Sequence, residues 1–80
     1  MHSETIGDYE IEYSGVPLPN SEEWGAWVAV YGPSHNPMHR NPIFPGQRVA
    51  PESRFADENA AEQEAKKIAH ALVETRARRV

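Results

Sequence analysis

Apolar and polar residues alternate with a period of two near the start of the chain. In the segment DYEIEYS, Tyr9, Ile11 and Tyr13 are separated by two glutamates, a pattern typical of a strand with one buried face and one face in water. The segment 15–23 that follows is rich in Pro, Gly, Asn and Ser, which favours a turn or short loop of the hairpin type. The sequence therefore predicts a first strand followed by a short connection.

The next segment, WGAWVAVYG, is apolar at both parities. Its two sets of apolar side chains are Trp24, Ala26, Val28 and Val30 on one face, and Trp27, Ala29 and Tyr31 on the other. A strand that is apolar on both faces usually lies in the middle of a sheet and is covered on both sides. Gly25 lowers the strand propensity, and within a strand it indicates a bulge or a close approach by other backbone.

A weaker strand is predicted over QRVAPESRF, residues 47–55, where Val49 and Phe55 share a parity. Pro51 cannot donate a hydrogen bond to a neighbouring strand, so it confines this segment to an edge of the sheet or ends it early. Short connections favour antiparallel neighbours. We therefore expect a three-stranded antiparallel sheet in the order 1-2-3, with the second strand in the centre.

The carboxyl-terminal segment that begins at Asp57 has the three-and-four spacing of an amphipathic helix. Its apolar stripe consists of Ala61, Ala65, Ile68, Ala69, Leu72 and Val73. Asp57 is well suited to cap the amino terminus of this helix. The predicted fold is an α+β domain of order β-β-β-α, with the helix packed on one face of the sheet. We expect a single domain over residues 1–80, with mobile segments at 1–7 and 77–80.

Size and charge restrict the function classes. The chain has 80 residues, 39% of them apolar, and no cysteine, so its core is small and extra support must come from packing, a ligand or self-association. Six of the acidic residues and none of the lysines or arginines fall within residues 1–34, and the net charge is −4; this distribution disfavours a broad phosphate-binding surface. The sequence shows neither a secretion signal nor an apolar run that could span a membrane, which predicts a cytoplasmic protein.

The segment 32–46, GPSHNPMHRNPIFPG, is predicted to be a long proline-rich loop. One helix covers only one face of the sheet, and the central strand would leave a tryptophan and its apolar neighbours in water on the other face. Two coverings fit the sequence. The loop itself can lie across that face as a lid, because prolines reduce the entropy lost on ordering, or a second copy of the chain can cover it as a homodimer.

Candidate catalytic and metal-binding residues are few. His35 and His39 have the four-residue spacing of a helical zinc site, but Pro37 between them makes a helix unfavourable. Ser34 beside His35 does not form a nucleophile-and-base pair, since neighbouring residues in an extended loop point apart. The sequence therefore predicts no enzyme activity, no metal site and no cofactor.

A non-enzymatic domain that binds another protein or itself is the leading functional hypothesis. Aromatic residues, Met and Arg are enriched at interface cores, and the candidate binding residues are Trp27, Tyr31, Met38, His39, Arg40 and Phe44. One alternative is a nucleic-acid-binding accessory domain, in which aromatics stack on bases, although the acidic start of the helix disfavours it. The other is a small-ligand or metal site under the 32–46 loop.

Three stretches carry a resemblance to known sequences. They are YEIEYSGVPLPN, the block WGAWVAVYGPSHNPMHRNPIFPGQRV, and a closing pattern of Phe55, Glu58, Ala61, Glu62, Glu64, Ala65, Ile68, Ala69 and Leu72. Together they resemble small proteobacterial proteins of about this length. The resemblance implies a β-β-β-α order and a cytoplasmic bacterial location. No activity is assigned to such proteins, so it implies no functional residue.

Overall fold

The computed structural model describes residues 2–33 and 41–77. Their elements are β1 (His2–Ile6), β2 (Tyr9–Pro17), β3 (Trp24–Gly32), β4 (Asn41–Val49) and α1 (Glu58–Ala77). The strands form one antiparallel sheet in the order β1-β2-β3-β4, and α1 packs on it. The predicted α+β class, antiparallel pairing and carboxyl-terminal helix are confirmed, whereas the predicted three-stranded sheet is wrong because the sheet has four strands.

The additional strand is β1, in the segment where the sequence predicted mobility. It pairs with β2 in an unbroken register that runs from His2 opposite Tyr13 to Ile6 opposite Tyr9. The connection is a two-residue turn that begins with Gly7 at φ 58, in the left-handed region that glycine adopts without a steric cost. The local sequence gives little sign of this strand, since Ile6 is the one apolar residue within HSETI.

Strand β4 replaces both the second half of the predicted 32–46 loop and the start of the predicted 47–55 strand. It lies at an edge of the sheet, where its prolines Pro42 and Pro45 are tolerated, and its register with β3 shifts twice, between Val28 and Val30 and again before Tyr31. The chain leaves β4 after Val49 in a turn. It then returns to β3 at Phe55, whose backbone exchanges two hydrogen bonds with Trp24.

Helix α1 begins where the sequence predicted. The Asp57 carboxylate accepts a hydrogen bond of 2.7 Å from the Ala60 backbone N–H, which confirms it as the amino-terminal cap. The predicted apolar stripe also faces the sheet: Ala61, Ala65, Ala69 and Val73 are buried, and Ile68 and Leu72 pack against the core. Within the described residues, no helix is both long and apolar enough to cross a membrane.

The core lies between α1 and strands β2 and β3. Its largest fully buried side chains are Ile11, Val28 and Val30. A Cβ atom at Gly15 would lie 2.6 Å from the Glu58 carbonyl oxygen, so the helix approaches β2 closely at a position where no side chain intervenes. The small residues on both elements therefore allow tight contact between the helix and the sheet.

Candidate functional site

The face of the sheet that points away from α1 is called here the second face. The strand registers place on it Ser3 and Thr5 of β1, Glu10, Glu12, Ser14 and Val16 of β2, Gly25, Trp27, Ala29 and Tyr31 of β3, and Arg48 of β4. The acidic side chains thus lie beside the aromatic ones, with Glu10 opposite Tyr31 and Glu12 opposite Ala29. Apolar, acidic and basic groups all occur on this face.

The centre of the second face is largely shielded from solvent. Ala29 is fully buried, and Trp27 and Tyr31 on either side of it are half-buried. The indole of Trp27 lies directly against the backbone of Gly46, so closely that a methyl group at that position would overlap the ring. The bulged strand β4 therefore covers part of Trp27, and glycine is required at the contact because only a bare backbone fits there.

The end of the second face around Gly25 is covered by two side chains from outside β3. A Cβ atom at Gly25 would lie 2.8 Å from Nε of Arg48 and 3.0 Å from Cδ2 of Leu18. Leu18 is buried, and Arg48 is held in place by a 2.8 Å hydrogen bond that its Nη2 donates to the Pro51 carbonyl. The sequence predicted a bulge or a close approach by other backbone at Gly25; the structure shows a close approach, but the approaching atoms belong to side chains and not to backbone. Leu18 and Arg48 were not among the predicted site residues.

The predicted binding residues do not form a single surface in the part of the chain that the structure describes. Trp27 and Tyr31 lie together on the second face. Phe44 pairs with Val30 and packs against the core on the helix side of the sheet, so it faces the opposite way. Met38, His39 and Arg40 lie outside the described residues, as do the other residues of 34–40 in the predicted lid; residues 41–46 of that segment join the sheet edge as part of β4.

A polar cluster on the helix side joins strand β1 to α1, and we call it the edge cluster. Its centre is Glu4: Oε2 accepts a 2.6 Å hydrogen bond from the Tyr13 hydroxyl and lies 3.4 Å from Nζ of Lys66, while Oε1 lies 3.1 Å from Nε2 of His70. A second contact joins Nε2 of His2 to Oε1 of Glu62 at 3.1 Å. No local sequence pattern indicates this cluster, because its partners are distant along the chain.

Within the edge cluster, hydrogen bonding sets the protonation of Glu4 and Tyr13. The bond from the Tyr13 hydroxyl, assisted by Lys66 and His70, lowers the pKa of the Glu4 carboxyl despite partial burial. The same bond and the burial of the ring raise the pKa of Tyr13 to about 12. Glu4 is therefore an anion that accepts hydrogen bonds, and Tyr13 keeps its proton. Within residues 2–33 and 41–77, no group of three or more His, Cys, Asp or Glu side chains is arranged to hold a metal ion.

Comparison with known proteins gives no further assignment. The chain matches no protein-family model, and no curated protein or solved structure matches it. The resemblance to small proteobacterial proteins therefore stays an expectation from the sequence, and the function depends on the chemistry of the site itself.

Proposed function

We propose that this chain is a non-enzymatic protein-interaction module that binds a partner protein through Trp27, Tyr31 and Arg48, which we call the aromatic patch. The observation that carries the proposal is that two half-buried aromatic side chains lie on one face of β3 next to an exposed arginine on β4. Trp, Tyr and Arg are the residue types that most often contribute strongly to protein–protein binding energy. Their grouping on one face favours an interface over scattered surface residues.

Pre-organisation supports the same function. Trp27 rests against the backbone of Gly46, and Arg48 is held by the Pro51 carbonyl. Side chains that are already fixed lose less entropy when a partner binds. A guanidinium carries five N–H donors, so Arg48 retains donors for a partner after its bond to Pro51. The partner chemistry that fits is an apolar or aromatic side chain for Trp27 and Tyr31 beside a carboxylate for Arg48.

The edge cluster favours binding over catalysis. Its carboxylate is engaged by donors on both oxygens, and the raised pKa of Tyr13 keeps that hydroxyl protonated. Neither group is poised to take up or release a proton near neutral pH. The cluster also lies on the helix side of the sheet, away from the aromatic patch.

Site-specific photo-crosslinking tests the proposal. A photoreactive phenylalanine analogue is placed at Tyr31 in one sample and, as a matched control, at Gln63 on the exposed side of α1 in another. In an extract of the source cells, the proposal expects a discrete protein adduct from position 31 and none from position 63. Excess unlabelled wild-type chain should remove the adduct, and a Trp27→Ala, Arg48→Ala competitor should not. No adduct, or the same adducts from both positions, would contradict the proposal.

The nucleic-acid alternative has less support. Glu10 and Glu12 lie on the same face as Trp27 and Tyr31, and carboxylates beside a base-stacking surface repel phosphate. A gel shift with RNA and DNA at ~50 mM salt separates the two functions, because phosphate binding is strongest at low salt. Binding there that weakens steeply as salt rises would favour the nucleic-acid function instead.

A further inference from the structure

The two edges of the sheet differ in how they are protected against pairing with another strand. Strand β4 carries Pro42 and Pro45, and its register with β3 is interrupted twice. Prolines and bulges are the usual means by which proteins prevent edge-to-edge association. Strand β1 is short and has an inward-facing charge at Glu4, but it contains no proline, no lysine and no bulge, and all five of its residues pair regularly with β2. Of the two edges that the described residues form, the amino-terminal one is therefore the less protected against pairing.

Strand β1 is also held ready for pairing. The contacts of His2 with Glu62 and of Glu4 with Lys66 and His70 tie it to α1 from one side. His2, Ser3 and Thr5 remain exposed. A strand whose backbone is already extended and anchored can add a neighbour at a low entropic cost.

We propose that a second copy of the chain pairs its β1 with this β1 in antiparallel orientation, about a two-fold axis perpendicular to the sheet. The product is a continuous eight-stranded sheet with both helices on the same face. The helices would then lie about four strand spacings apart, roughly 19 Å, which is beyond helix contact distance and avoids a clash. This interface uses an edge of the sheet and is separate from the aromatic patch.

Charge selects the register of the pairing. If the axis passed at Glu4, the two Glu4 carboxylates would lie directly opposite each other, which is unfavourable. If it passes at Ser3, His2 of each copy lies opposite Glu4 of the other, and the two Ser3 side chains face each other on the second face. The Ser3-centred register therefore places an imidazole ring opposite a carboxylate twice. Because few residues pair, the interface is small and the dimer dissociates on dilution.

Sedimentation velocity over a concentration series up to about 1 mM tests both the dimer and its register. The wild-type chain should dimerise. Ser3→Lys and Ser3→Glu should each weaken the dimer by at least about tenfold, since like charges then lie directly opposite, and an equimolar mixture of the two should associate again. Thr5→Lys is the matched control. Thr5 is also exposed on the same face, but in this register the two Thr5 residues of the dimer do not lie opposite each other, so dimerisation should persist.

The outcomes that overturn the proposal are distinct. A wild-type chain that stays monomeric at about 1 mM excludes the dimer. Ser3→Lys that dimerises like the wild type, or Thr5→Lys that abolishes the dimer as Ser3→Lys does, excludes the register. Circular dichroism establishes that each variant is folded. Crosslinking from position 31 does not depend on whether β1 dimerises. A failure of the proposed aromatic-patch function can therefore be distinguished from a failure of the dimer.

Discussion

At the scale of single residues, two glycines determine which side chains pack on the second face. Gly25 leaves room for Leu18 and Arg48, and Gly46 leaves room for the Trp27 indole. A close approach at Gly25 was detectable from sequence because this glycine interrupts an otherwise continuous apolar strand. The contact at Gly46 was not detectable, since Gly46 lies in a proline-rich segment, where a glycine is equally typical of a turn. Only the paired strands show which side chain it faces.

Gly46→Ala should therefore destabilise the fold. The added methyl group would overlap the Trp27 ring, and overpacking of this kind costs about 1–3 kcal/mol of unfolding free energy. Urea denaturation of four proteins measures it: wild type, Gly46→Ala, Trp27→Ala and the double variant. In the Trp27→Ala background the ring is gone, so the cost of the alanine should largely disappear. An equal cost in both backgrounds would show that the strain comes from the backbone and not from the indole.

At the scale of elements, the sequence predicted what local patterns specify. Strand β2 alternates, β3 is apolar on both faces, and α1 has a capping aspartate and a regular stripe, so these three elements were predictable. The pattern HSETI contains one apolar residue, and β1 forms because a glycine turn and the edge cluster bring it to β2 and α1. Strand β4 was predicted too late in the chain, because Pro42 and Pro45 argue against a strand except at a bulged edge.

The tie between β1 and α1 makes stability depend on pH. Glu4 has a folded pKa below its ordinary value of 4.5, so its contribution is fully present above that value and is lost as the pH falls through the folded pKa. Glu4→Gln should be less stable than wild type near pH 7, and the difference should shrink towards about pH 3. Denaturant unfolding at both pH values measures this difference.

The exposed carboxylate Glu22 provides the control for that measurement. Glu22→Gln should differ little from wild type at either pH, because an exposed side chain away from such contacts contributes little. If the wild type and Glu4→Gln instead lost stability in parallel on acidification, the hydrogen bonds to Glu4 would not stabilise β1 against the helix.

At the scale of the whole molecule, the protein is a thin two-layer body. Its principal extents are 42 × 27 × 17 Å, and the short dimension holds one helix on one sheet. Most of the core side chains are alanines and valines, so the apolar area removed from water is modest for a domain already near the lower size limit. A domain of this shape therefore gains more stability from pairing with a second copy than a thicker domain would.

The thermal midpoint should accordingly rise with protein concentration if β1 pairs with a second copy. Association stabilises the folded state by mass action, and in a domain of this size each kcal/mol moves the midpoint by about 4–8 °C. Between about 10 µM and about 1 mM, the wild-type midpoint should increase on the order of 5 °C. Differential scanning calorimetry of Ser3→Lys should show no such increase, whereas Thr5→Lys should behave as the wild type does. A wild-type midpoint that is independent of concentration would mean that the sheet ends at β1, and that the packing of α1 alone sustains the fold.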